Sequence, residues 1–268
     1  MIIKQLPHAK VLQEELRKLR SDRSPKTVEQ RLSALLKHYD VLNYDRKFNT
    51  PLHRAQRSNE TGFRSIGRLL HPPAHHAEKG RLNEKGESRL YASLDVQTCL
   101  AELDAKKNDC FHVVGLMPRE RKLRCAAVGH FDAAHKDGAA APLELRQALS
   151  RISRSSPREA TLAFLFFDAM LASLINDVHA RDVGYIYSRT LARLLLAKYP
   201  AIDAIQYPSV RRPIATNLMI REQPASHMEV VGTSVLQIRE VYDFGFYDFE
   251  IIREAVGWNG EGEIQWKS

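Results

Sequence analysis

Arg54, Arg81, Tyr91, Glu102 and Ser209 are the side chains whose types and order suggest chemistry in this sequence. They stand in four short stretches, "PLHRAQ", "GRLN", "RLYASLDVQTCLAEL" and "IQYPSVRR". A guanidinium grips phosphate oxygens through two parallel hydrogen bonds. A tyrosine offers a flat apolar face with a polar tip. A carboxylate can hold sugar hydroxyls, or stabilise a positive charge that develops as a bond breaks. Together they suit an anionic, ring-bearing ligand. Ser209 follows a Tyr-Pro pair at a strand end, where functional loops leave a sheet. Taken singly, each has a plainer reading: surface ion pairs for the arginines and the glutamate, packing for Tyr91, a local turn for Ser209.

The elements that must position these residues can be read from periodicity and caps. "VLQEELRKL" puts Leu12, Leu16 and Leu19 on one helical stripe. "SPKTVEQRLSALLKHY" offers Ser24 as N-cap, Pro25 at the first helical position and an apolar face of Val28, Leu32, Leu35 and Leu36. Residues 41–85 read as irregular, with Pro51, Pro72 and Pro73. "SRLYASL" alternates as a strand, and Asp95 can cap a helix whose stripe is Val96, Cys99, Leu100 and Leu103. Glu102 is expected beside that stripe in the N-terminal half of the helix, where the helix dipole tolerates a negative charge.

Beyond it, "CFHVVGL" and "LRCAAVGHF" read as strands, followed by a polar link around residues 132–142. "SPRE" predicts a capping box, with Ser156 as N-cap, Pro157 at N1 and Glu159 at N3, opening the helix of the apolar run Ala160–Ile175. A further helix starts at Ser188, and short strands are expected at "IDAIQY", "TNLMIR" and "VLQIREVYDF". Helices and strands mix without regular alternation, which predicts an α+β fold rather than a doubly wound sheet. The division expected is a helical N-terminal extension over residues 1–40 and a catalytic domain over residues 41–268.

Composition narrows the setting. A hydrophobic share of 44% and a charged share of 27% in 268 residues belong to an ordinary soluble chain. Cys99, Cys110 and Cys125 are odd in number and lack CxxC spacing, which favours reduced thiols in a cytoplasm over disulfides or a zinc site. "MIIKQLPHAKV" has no continuous apolar core, so no signal peptide is expected. The run Ala160–Ile175 is broken by Asp168 and falls short of the roughly 20 residues a spanning helix needs. His71, His75 and His76 cluster without a carboxylate or cysteine at ligand spacing, so no metal is expected. The net charge of +8 admits nucleic acid, a phosphate-bearing small molecule or an acidic protein. The basic residues are dispersed and no zinc-finger or RNP pattern accompanies them, so direct nucleic-acid binding is not expected.

Read in order, the four stretches resemble the RES-domain family, named for an arginine, a glutamate and a serine, whose members include toxins of bacterial toxin–antitoxin pairs. The family's arginine motif, "G-R-W-N", "l-Y-l-a…t-A-l-a-E" and "Y-P-S" fall on Arg54, Arg81, Tyr91, Glu102 and Ser209. The likeness extends over roughly residues 48–222, including "GYIYSRTLARLLLAKYPAIDAIQYPSVRRPIATNLMI". Three departures stand out: Leu82 for an aromatic, "NEKG" for a proline-containing turn, and Gln56 for a second arginine.

The resemblance implies a mixed β core similar to that of ADP-ribosyltransferases and an enzyme that degrades NAD⁺. By the same resemblance Glu102 stabilises the charge that appears on the ribose, while Arg54 and Arg81 hold phosphates. Tyr91 then serves the nicotinamide-ribose end, and Ser209 orients ribose or acceptor. NAD⁺ is the substrate, with inorganic phosphate or water as acceptor and no metal. A protein acceptor, which would make the chain an ADP-ribosyltransferase, is the runner-up; a non-catalytic regulatory or nucleic-acid-binding module is the reading of a different class. A cognate antitoxin that blocks the site is implied as partner, with no membrane. A homo-oligomer is left open. The N-terminal helices are either the antitoxin's docking surface or a cover for an edge of the core.

Overall fold

In the computed structural model, which describes residues 6–137, 142–177, 183–212 and 215–267, the N-terminal helices form as their stripes demand. Helix α1 (Ala9–Ser21) buries Leu12, Leu16 and Leu19, and α2 (Pro25–Leu36) buries Val28, Leu32, Leu35 and Leu36. Ser24 Oγ accepts from the Thr27 amide, with Pro25 in the first turn. Each fully buried leucine contributes about 2 kcal/mol.

The chain divides into two compact units, one of Met1–Tyr44, Lys79–Lys85 and Arg124–Pro208, the other of Asp45–Glu78, Gly86–Leu123 and Ser209–Ser268. In the first, α1 packs on α6 (Arg158–Ile175) and α2 on α7 (Ile186–Lys198). The apolar stripes of the N-terminal helices are therefore covered by their own unit. Helices α4 (His130–Asp137) and α5 (Leu143–Ser155) complete its helical layer. Strand β1 (Leu42–Lys47) lies beside β5 (Lys122–Ala127), which pairs in parallel with β6 (Ala204–Pro208).

Asp168, which breaks the apolar run of α6, is fully buried and serves as a polar hub. Its Oδ1 accepts from the Tyr39 hydroxyl at 2.8 Å and the Gly129 amide at 2.9 Å, and its Oδ2 from the Phe131 amide at 2.8 Å. The amides open α4, so the carboxylate of one helix caps the N-terminus of another. Gly129 has φ +73°, and a Cβ there would lie 2.3 Å from Ala172 Cβ, so the close approach requires glycine.

The second unit is an antiparallel sheet in the order β7–β3–β2–β4–β8–β9–β10. Its strands are β2 (Leu52–Ser58), β3 (Arg89–Ser93), β4 (Cys110–Pro118), β7 (Thr216–Arg221), β8 (Met228–Tyr242), β9 (Phe246–Trp258) and β10 (Ile264–Trp266). Helix α3 (Val96–Glu102) packs Cys99, Leu100 and Ala101 into a core with Phe111, Val113, Leu236 and Ile238. Both units thus bear out an α+β class with a mixed set of strands and a helical start.

Several local expectations need correction. Residues 41–85 are not irregular throughout, for they contain β1 and β2. The link around 132–142 begins as α4, and residues 138–141 lie outside the described residues. Ser156 does not open α6; it is the C-cap of α5, and Pro157 stands at the N-cap of α6 without a side-chain bond. Helix α5 runs on to Ser155 and ends where Ser156 turns extended, which leaves Pro157 as the residue before α6. Strand β9 follows a turn at Phe244 and Gly245, both at positive φ, where the sequence suggested an end. All three cysteines are free thiols.

His112 on β4 gives this unit an acid sensitivity. Its ring lies between Phe63, at 5.6 Å, and Trp266, at 5.3 Å, and its Nδ1 accepts from the Phe63 amide at 2.9 Å. Burial, helped by the Arg253 charge, lowers its pKa to about 4. The unfolded chain gains this proton near pH 6.5 and the folded chain only near pH 4, so stability is lost as pH falls between them. The loss expected between pH 7 and pH 4.5 is about 2 kcal/mol. Denaturant titrations at pH 7 and pH 4.5 should show it in wild type and a flatter dependence in His112→Phe; equal slopes would refute it.

Candidate active site

Four of the five sequence-predicted residues lie in the second unit, and local structure explains each position. Asp95 caps α3 as expected, its Oδ1 accepting from the Thr98 amide at 2.9 Å and its Oδ2 from the Thr98 hydroxyl at 2.8 Å. The helix is short, however, and Glu102 is its last residue, not part of its N-terminal half. Asp104 at φ +50° ends it: the Asp104 amide bonds Ala101 O at 3.0 Å and the Ala105 amide bonds Leu100 O at 3.1 Å. That pair of reversed bonds, with Leu100 and Ala105 in one core, is a Schellman closure. A carboxylate at a helix C-terminus faces the wrong end of the dipole, so it needs donors from elsewhere.

Those donors are Ser209 and Asn217. Ser209 Oγ donates to Glu102 Oε1 at 2.7 Å, and Asn217 Nδ2 donates to the same oxygen at 2.8 Å. Asn217 is in turn oriented by Ser93, its register partner across β3 and β7, whose hydroxyl donates to Asn217 Oδ1 at 2.6 Å. A hydroxyl on Oδ1 and a carboxylate on Nδ2 select one amide orientation, since the reverse would set oxygen against oxygen. Glu102 Oε2 has no hydrogen bond among the described residues, which leaves half of the carboxylate to meet a ligand.

Ser209 is itself fully engaged. Its Oγ accepts from the amides of Arg211 and Arg212, both at 3.2 Å, while its proton points to Glu102. A hydroxyl so saturated orients its neighbours and is poorly suited to attack. Cys99 offers no nucleophile either: it is buried, its Sγ donates to His53 O at 3.1 Å, and burial pushes the thiol up to about 12.

Arg54 stands on β2, opposite Val114 of β4, and its NH1 donates to the Tyr91 carbonyl of β3 at 3.3 Å. Among the described residues β2 and β3 pair at His53 and Ser93, and the Arg54 guanidinium adds a side-chain link from β2 to the β3 backbone. Its Nε is buried without a hydrogen-bond partner, and burial lowers its pKa from the usual value. Such a donor is the equipment for an anion. The imidazoles of His53 and His71 are held below their usual pKa by burial. In His71 the attraction of Glu222 opposes this and the charge of Arg54 adds to it. Tyr91, half-buried on β3, faces Met219 across the ladder to β7.

Arg81 belongs to the first unit. Its NH1 donates to Ile175 O at the end of α6 at 2.6 Å, where a cation suits the helix dipole, and its guanidinium lies over the Tyr185 ring at 5.8 Å. The Ser188 hydroxyl donates to the Arg81 carbonyl at 2.6 Å. Its membership of the same functional set rests on the family pattern. Periodicity missed Asn217 and Ser93, although an asparagine inside the apolar strand "TNLMIR" is itself a signal that it has a partner.

The second unit thus carries a carboxylate held at one oxygen and, among the described residues, unbonded at the other, together with a buried guanidinium whose Nε has no partner. The chain belongs to the RES domain family, whose pattern it matches over residues 51–240. That family is one of toxin-like, NAD-related enzymes. A search of curated proteins finds no match. Among the described residues, no group of three or more His, Cys, Asp or Glu could hold a metal ion, and no helix is long and apolar enough to cross a membrane.

Proposed function

We propose that this protein degrades NAD⁺ by breaking the nicotinamide–ribose bond, with phosphate or water as acceptor. The observation that carries the reading is Glu102, held at Oε1 by two donors and without a hydrogen bond at Oε2 among the described residues. As the bond to nicotinamide stretches, its electron pair moves to the ring nitrogen and positive charge grows on the ribose. Nicotinamide leaves neutral, so no acid is required. The carboxylate stabilises that charge, as in glycoside cleavage. A phosphate oxyanion then bonds to the anomeric carbon directly, or a water oxygen bonds there and gives up a proton to solvent. Arg54 supplies charge for the pyrophosphate or an incoming phosphate, and Tyr91 a surface for the nicotinamide-ribose end. An enzyme that drains NAD⁺ endangers its own cell, and we propose a cognate antitoxin that covers this site.

The test is NAD⁺ consumption by purified protein with and without inorganic phosphate. A phosphate-dependent rate yielding ADP-ribose 1″-phosphate identifies a phosphorylase. A rate indifferent to phosphate identifies a glycohydrolase. Binding without consumption overturns degradation in favour of a protein acceptor, and no binding overturns the NAD⁺ reading itself.

A further inference from the structure

The family match closes at residue 240, yet the chain continues into the β8–β9 turn, and that turn packs against the Ser209 segment. Gly245 sits at φ +76°, and a Cβ there would lie 3.2 Å from Arg211 O, 3.4 Å from Arg212 Cγ and 3.5 Å from Ala101 Cβ. Beside it the Arg212 guanidinium lies over the Phe246 ring at 5.1 Å. The same guanidinium donates to Asp95 Oδ1 at 2.6 Å and to Thr98 Oγ1 at 3.3 Å, on the first turn of α3. Gln97 completes the attachment, its side chain bonding the Tyr247 carbonyl and the Tyr247 amide, both at 2.8 Å. The hairpin is thus fastened to α3 by Gln97 and to the turn after Ser209 by Arg212.

We propose that the hairpin tip Gly245–Tyr247 is a positioning strap for Ser209: it fixes the turn whose amides hold Ser209 Oγ on Glu102. The chain of contact is short. Phe246 and Gly245 hold Arg212; the Arg211 and Arg212 amides hold Ser209 Oγ; Ser209 holds Glu102 Oε1. Phe246 is half exposed and touches no site residue through a hydrogen bond, so its influence on the reaction passes through Arg212. Phe244, 77% exposed at φ +62°, aims its ring outward and lets Gly245 turn in. The proposal rests on the NAD⁺ reading for its kinetic consequence, but its structural content stands apart from it.

The experiment therefore has two arms. In the first, Phe246→Ala is expected to lower kcat for NAD⁺ consumption about tenfold with KM little changed, and Phe246→Tyr to restore it. Placed in Ser209→Ala, the same Phe246→Ala change should add less than about twofold, because the residue it acts through is gone. Equal losses in both backgrounds, or no loss at all, would overturn the strap. In the second arm, hydrogen exchange at the Arg211 and Arg212 amides should quicken about tenfold or more in Phe246→Ala and in Gly245→Val, with core strand β4 still protected. Unchanged exchange at those amides overturns the proposal even if the wild type proves inactive on NAD⁺, an outcome that would count against the NAD⁺ reading alone.

Discussion

Glu102→Gln is expected to reduce NAD⁺ consumption by about a thousandfold or more while NAD⁺ still binds within about threefold of wild type. The size follows from charge. A carboxylate placed against a developing cation in a partly buried site is worth about 4 kcal/mol, which is a factor of roughly a thousand in rate. Glutamine keeps the shape and can still accept from Ser209 Oγ and Asn217 Nδ2 through its Oε1. The amide nitrogen must then stand where Oε2 stood, presenting a donor to the growing positive charge. The ground state, with the charge still delocalised over the nicotinamide ring, is affected far less, so kcat should fall and KM should not. A variant that folds, binds NAD⁺ and retains more than about a tenth of the wild-type rate would remove Glu102 from its role.

The site was legible in the sequence where its positions are set locally, and hidden where they are set by contact. Asp95 could be read as a cap because the Thr98 amide it holds is three residues away. Ser24 and Pro25 opened α2 for the same reason. The end of α3 was not legible, because Asp104 is not glycine and its left-handed turn is fixed by the bonds of Asp104 and Ala105 to the last carbonyls. Strand β2 was masked by Arg54. Its buried residues Leu52 and Ala55 are three apart, and the position between them that alternation would fill with a hydrophobe is Arg54. Helix α5 keeps Leu145, Ala148, Leu149 and Ile152 at helical spacing, but the Ser-Pro signal behind it reads as a start when it is the junction of two helices. The pairing of Ser93 with Asn217 depends on which strands become neighbours, and no local rule reports that.

Asp168→Ala is expected to destabilise the first unit by about 4 kcal/mol, the largest effect on folding of the changes considered. Alanine leaves three donors without an acceptor: the Tyr39 hydroxyl and the Gly129 and Phe131 amides, all of them buried. It also leaves a gap in the face of α6 whose Phe164 ring packs against the Tyr39 and Phe131 rings. Asp168→Asn should cost about half as much, since its oxygen still serves Tyr39 and Gly129 while its amide nitrogen meets the Phe131 N–H donor to donor. Tyr39→Phe removes one donor and keeps the Gly129 and Phe131 amides on the carboxylate, so it should cost about 1 kcal/mol. Chemical denaturation of the three variants would test the order, and Asp168→Ala should also melt about 10 °C lower. A conserved order with smaller steps would mean that water enters the gap. An Asp168→Ala protein as stable as wild type would mean that the hub contributes nothing to folding, and the interrupted apolar run would need another explanation.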